Sequence, residues 1–111
     1  MESKKKLARM QEVHVAKTLG FRRQANSGST PFAKGDVIGG RFLIECKTHV
    51  SEVKGYKVER SVIDKMREEA FGMGLSKSDA VLCFNFGAGG ENFYVLSERL
   101  FKELINGKYR K

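Results

Sequence analysis

The stretch from Lys34 to His49 constrains the fold most. Apolar, mostly β-branched or aromatic residues lie on both sides of a Gly39-Gly40 pair. That pattern predicts a β-hairpin, because glycine takes the positive φ of a tight turn at no steric cost. With a two-residue turn at Gly39-Gly40, Ile38 opposes Arg41, Val37 opposes Phe42 and Asp36 opposes Leu43. Opposed residues, and residues two apart on one strand, share a face of a sheet. The expectation is therefore one face carrying Asp36, Leu43, Glu45 and Lys47, and a second, core-facing side carrying Val37, Phe42, Ile44 and Cys46. A slip of the turn by one residue is expected to take Asp36 out of this group.

The elements around the hairpin follow from periodicity and punctuation. Residues 3–19 predict a helix that Ser3 caps and Gly20 stops. Leu7, Met10, Val13 and Ala16 recur at i+3 spacing, widened by Val15 and Leu19. Glu12 borders that stripe, so its carboxylate either reaches solvent or has a partner. Phe21–Gln24 reads as a short strand. Residues 25–35 read as a loop of Asn, Ser, Gly and the single Pro, long for so small a domain. Such a loop either contacts phosphate through hydroxyls and backbone N–H groups or is simply flexible. Residues 50–60 are polar, with Lys54, Lys57 and Arg60 around Tyr56. A second helix is expected from Ser61 to Met73, started by a Ser61/Asp64 capping pair, with Val62, Ile63, Met66, Ala70 and Met73 turned inward. The apolar run Ala80–Phe86 suits a central strand covered on both faces. After a Gly87-Ala88-Gly89-Gly90 turn, Asn92–Leu96 reads as a returning strand. Ser97 caps a last helix, Glu98–Asn106, with Leu100, Phe101, Leu104 and Ile105 inside and a basic tail over 107–111. The order αβββαββα predicts one α/β domain over residues 1–111, a mixed sheet of four or five strands flanked by helices.

Charge narrows the partner. The net charge is +8, and residues 1–60 hold 13 Lys and Arg against 6 Asp and Glu. A basic, asymmetric domain points to a polyanion such as nucleic acid. Cys46 and Cys83 sit in separate apolar runs and form no C-x-x-C pair, which suits free thiols in a reducing cytoplasm. No apolar run approaches the roughly 18 residues of a membrane span, so no membrane partner is expected.

Two carboxylates on one face repel unless a cation lies between them or one is protonated. Asp36 and Glu45 thus suggest a hard divalent cation, Mg²⁺ by preference, completed by water and a substrate phosphate. Lys47, two residues from Glu45, would stabilise charge on the phosphoryl group or hold the attacking water. Glu12 would be a further ligand or would orient water. The competing reading is a plain Glu45–Lys47 ion pair, which leaves Asp36 and the charge asymmetry unexplained.

Gly35-Asp36-Val37, followed after eight residues by Glu45-Cys46-Lys47, resembles the motif of the PD-(D/E)xK nuclease superfamily. With Glu12 in an opening helix and the Ser27-Gly28-Ser29 loop, the chain is most similar to the small resolvase-like nucleases of archaea and bacteriophages that cut Holliday junctions. The resemblance covers most of residues 5–90. It implies a restriction-endonuclease-like core, a homodimer, and Mg²⁺ or Mn²⁺ held by Asp36, Glu45, the main-chain carbonyl of Cys46 and Glu12. It makes Lys47 the catalytic lysine and has Ser27 or Ser29 touch DNA; apart from the resemblance, the basic residues Arg23, Lys34, Lys54 and Lys57 are expected as further DNA contacts, the last two as a backbone-contacting patch with Arg60 around Tyr56. Gly35 stands where the motif's name has Pro, and the second helix lacks the glutamine of the Q-x-x-x-Y exonuclease subgroup. The readings that follow are a Mg²⁺-dependent, junction-selective endodeoxyribonuclease, a duplex endonuclease on the same fold, or a catalytically silent nucleic-acid-binding module.

Overall fold

The computed structural model describes residues 3–24 and 36–107. Its elements are α1 (Lys4–Leu19), β1 (Arg22–Arg23), β2 (Val37–Gly39), β3 (Phe42–Lys47), α2 (Arg60–Gly72), a single 3-10 turn (Lys77–Asp79), β4 (Ala80–Phe84), β5 (Phe93–Val95) and α3 (Glu98–Ile105). The five strands form one mixed sheet in chain order. All neighbours are antiparallel except β3 and β4. A parallel pair needs a long crossover, and α2 supplies it. The chain is thus α/β, a five-stranded mixed sheet flanked by three helices.

Alternation along the strands divides the core in two. Val37, Ile44, Cys46, Val81 and Cys83 pack against Val15 and Ala16 of α1 and Leu100 of α3. Leu43, Ala80 and Leu82 point the other way, onto Met66 and Ala70 of α2. Val81 to Cys83 are buried throughout, as a strand covered on both faces requires.

The hairpin turns one residue later than the sequence pattern predicts. Gly39 pairs with Phe42, Ile38 with Leu43 and Val37 with Ile44, so the turn residues are Gly40 and Arg41. Moving a two-residue turn by one position shifts the pairing by two, and a shift of two preserves the face of every strand residue. By parity alone such a slip keeps Asp36 on the face of Leu43 and Glu45, so any departure of Asp36 from that face has another cause, and β2 begins only at Val37. The two glycines have separate reasons. Gly40 supplies the positive φ, 53°. Gly39 has strand conformation but lies against Phe21, whose ring a Cβ there would strike.

Three further expectations are corrected. On α1 the buried residues are Leu7, Gln11, Val15 and Ala16, while Met10 and Val13 are exposed. The inward stripe runs at i+4 spacing, because Gln11 finds hydrogen-bond partners inside. Helix α2 begins at Arg60 after Glu59, with no side-chain cap, so Ser61 and Asp64 form no capping box. Asp64 instead pairs with Arg60 at 3.5 Å. On α3 only Leu100 is buried, and Phe101, Leu104 and Ile105 face outward, because this eight-residue helix meets the core along one narrow line. Its Ser97 cap forms as expected, accepting from the Leu100 N–H at 3.1 Å. Among the described residues no helix is long and apolar enough to cross a membrane.

Candidate active site

β2 ends where β3 continues. The last rung between them is Val37–Ile44, so Glu45, Cys46 and Lys47 have no β2 residue opposite. Asp36 occupies that gap. Its N–H donates to the Ile44 carbonyl at 3.1 Å, one position off the register, and its own carbonyl accepts from Gln24. Its Oδ2 accepts the Cys46 N–H at 2.8 Å. The carboxylate therefore substitutes for a missing strand and lies at the sheet edge, not on the flat of a face as the hairpin count suggested. In antiparallel pairing one residue exchanges both its N–H and its C=O with the same neighbour, so the two groups leave the strand on one side. The Cys46 carbonyl accordingly faces the same edge as its N–H.

The edge gathers acids from both layers. Glu12 approaches from α1 and lines the same cleft as Asp36, whose charge acts on it. Its Oε1 also accepts from Arg23 Nε at 3.2 Å. Glu45 approaches from the α2 side, in a hollow of about 190 Å³ that Lys47, Ser61 and Lys65 also line. Lys5, Arg9, Glu12, Arg23 and Asp36 line a larger cleft of about 660 Å³ on the α1 side. Lys47 Nζ stands 3.6 Å from Glu45 Oε2. Of the residues singled out in the sequence, Glu12 and Asp36 thus share one hollow and Glu45 and Lys47 the other, and the charge of Asp36 acts on Glu12 and Glu45 alike.

Electrostatics mark the spot. Burial, then the charge of Asp36, pushes the Glu45 carboxyl up to about 7. Burial followed by Asp36 also raises Glu12 above its ordinary range. Asp36 is raised by burial, against the lowering pull of the Cys46 N–H and of Lys47. Three desolvated carboxyls, two of them further raised by the charge of Asp36, form a set that a cation would relieve. Among the described residues no three His, Cys, Asp or Glu side chains form a ready cage. An ion here would draw on one or two carboxylates, the Cys46 carbonyl and water, which is how Mg²⁺ is commonly held.

The other expected DNA contacts are dispersed. Arg23 lies at the site through Glu12. Lys54 and Lys57 are exposed on the irregular segment between β3 and α2. Ser27, Ser29 and Lys34 lie outside the described residues.

Sequence reasoning missed an amide network behind Lys47. Gln11 Nε2 donates to the Lys47 carbonyl at 2.8 Å and to Asn92 Oδ1 at 3.2 Å. Asn85 Nδ2 donates to the same Asn92 oxygen at 3.1 Å, and Thr48 Oγ1 donates to Asn85 Oδ1 at 2.8 Å. The signal was present in the Leu7, Gln11, Val15 spacing, which puts a polar residue on a buried line. Comparisons with protein-family models, with curated proteins and with solved structures found no match.

Proposed function

We propose that the chain is a metal-dependent endodeoxyribonuclease with a restriction-endonuclease-like core, selective for four-way DNA junctions. The observation that carries the reading is the placing of Asp36, just ahead of β2, where its charge acts on Glu12 of α1 and on Glu45 of β3 and feels that of Lys47, on a chain of net charge +8. A basic surface serves the phosphate backbone, and an acidic pocket within it lowers DNA affinity unless a cation is bound. That combination fits phosphodiester cleavage better than passive binding.

In this reading Asp36, Glu45 and the Cys46 carbonyl hold the cation, Mg²⁺ or Mn²⁺, which supplies Lewis-acid polarisation of a phosphoryl oxygen when bound. Lys47 donates to a non-bridging oxygen as negative charge grows there in the transition state. Glu12 borders the same cleft as Asp36 and would orient a cation-bound water there, while Arg23 holds Glu12 in place. Lys5 and Arg9, on the cleft wall, receive the flanking phosphates. A second copy of the chain would allow paired nicks on opposite strands. The exposed Phe101, Leu104 and Ile105 of α3 support such a homodimer.

The test is cleavage of a synthetic four-way junction and of a linear duplex of matched sequence, each with Mg²⁺ and with EDTA. Symmetric, Mg²⁺-dependent cuts on the junction alone are expected. Equal cutting of the linear duplex removes the junction selectivity and leaves a duplex endonuclease. Cutting by Asp36→Asn and Glu45→Gln at the parent rate removes the site assignment altogether.

A further inference from the structure

The face of the sheet beside Lys47 carries a stack of rings that the cleavage reading does not use. Lys47 and Phe84 are register partners on β3 and β4, and Phe84 pairs in turn with Phe93 on β5. Tyr56 lies flat on Phe84, with centroids 4.4 Å apart and planes at 11°. Phe93 continues the stack at 5.8 Å and 28°, and Phe86 closes on both phenylalanines edge-on at 5.5 and 5.6 Å. The inner end is packed and the outer end is open, since Phe86 is 37% and Phe93 41% exposed. The segment bearing Lys54, Tyr56 and Lys57 is tied to this end of β4 by the Val53 N–H on the Phe86 carbonyl at 2.7 Å.

We infer that Phe86 and Phe93 form a stacking platform for unpaired DNA bases beside the catalytic edge, with Lys54 and Lys57 holding the adjoining phosphates. The inference rests on the nuclease reading and extends it to a second subsite. Ring continuity argues for bases: every base has a π-face, and an offset aromatic stack with an open end accepts one more planar ring. Charge argues for a nucleic-acid occupant over an apolar one: Lys47 stands beside Phe84 in the register, and residues 52–57, which include Tyr56, hold exposed Lys54 and Lys57 against one acid, Glu52, beside Gly87. Position argues the same way. Tyr56 is close enough to Lys47 and Glu45 for their charges to act on its hydroxyl. A strand whose phosphate lies at Lys47 would therefore pass its neighbouring bases across the rings.

The chain contains no Trp, so Phe93→Trp gives a lone reporter at the platform. In EDTA, a single-stranded oligothymidylate of about ten nucleotides is expected to quench this fluorophore, and a blunt duplex of equal length to leave it nearly unchanged. Phe86→Ala and Phe93→Ala are each expected to weaken oligothymidylate binding about tenfold with the salt dependence unchanged, because no phosphate contact is lost. Lys54→Gln should instead flatten the salt dependence. Phe93→Leu keeps apolar bulk without a ring, and binding as weak as in the Ala variant assigns the effect to stacking. Parent-like binding by Phe93→Ala and Phe86→Ala, or dissociation of a dimer by them in sedimentation, overturns the platform and leaves cleavage at Asp36 and Glu45 untouched. Failure of the parent chain to bind either oligothymidylate or a junction overturns both readings.

Discussion

The carboxylate of Asp36 completes the hydrogen bonding of β3 by accepting the Cys46 N–H at 2.8 Å, in the position a neighbouring strand would otherwise occupy. One residue therefore has a structural and a chemical task, and two substitutions separate them. Asp36→Asn keeps an oxygen acceptor for Cys46 and removes the charge. Asp36→Ala leaves a part-buried N–H unpaired, which costs about 1–3 kcal/mol. Both variants are expected to lose at least about a hundredfold in Mg²⁺-dependent cleavage, since each removes a charge from the reacting centre. Only the Ala variant should also lose stability by that amount, measured by urea unfolding in EDTA. Equal stability of the two would show that the Cys46 bond contributes nothing.

The raised carboxyl of Glu45 predicts how the metal-free fold depends on pH. Its folded value of about 7 lies above the ordinary 4.5. Between those values the folded state holds a proton that the unfolded state has released, so stability falls as pH rises. This contribution is fully present below 4.5 and is lost on passing about 7. The shift corresponds to about 3 kcal/mol. Glu45→Gln, with no charge to bury, should remove most of this slope in EDTA. Mg²⁺ must displace the same proton, so its affinity should rise with pH through about 7 and level off about one pH unit above that. Side-chain carboxyl NMR, with and without Mg²⁺, reads both effects. A Glu45 titration near 4.5 in EDTA would rule out the desolvated acidic edge.

Element types were legible because they depend on local chemistry. Ser3 and Gly20 bound α1, and Ser97 starts α3, as side-chain capping and a left-handed glycine dictate. Glu45 and Lys47 were legible as neighbours on one face because face parity survives a two-residue shift in pairing. What the sequence concealed depends on partners distant along the chain. Gln11 becomes a core residue only because the Lys47 carbonyl and Asn92 meet it there. Asp36 leaves the sheet face for its edge because β2 stops short of Glu45. Phe101, Leu104 and Ile105 look like core in a helical pattern, yet α3 has only enough contact with the sheet to bury Leu100.

Gly39 tests the hairpin geometry independently of any activity. A methyl group there meets the Phe21 ring, which itself stacks on Phe42 with centroids 6.2 Å apart. Gly39→Ala is expected to cost about 1–3 kcal/mol through overpacking. Gly39→Ala combined with Phe21→Leu should recover part of that loss, because the smaller side chain yields space. Thermal unfolding of the two single variants and the double variant gives the coupling. Additive losses would mean that Phe21 does not occupy the space over Gly39.

Gln11 tests whether the amide network positions the catalytic edge. Its side chain touches neither the acids nor the open cleft, but it holds the main chain of Lys47 from behind. Gln11→Leu conserves volume while leaving the Lys47 carbonyl and Asn92 Oδ1 without this donor, an expected loss of about 2 kcal/mol. A displaced Lys47 should then cleave junctions about tenfold more slowly at saturating DNA. Junction binding in EDTA should stay unchanged, because Gln11 lies apart from the basic cleft wall formed by Lys5, Arg9 and Arg23. That split between turnover and binding separates positioning from general unfolding, which would lower both together. Parent-like turnover in a destabilised Gln11→Leu variant would restrict the network to a packing role.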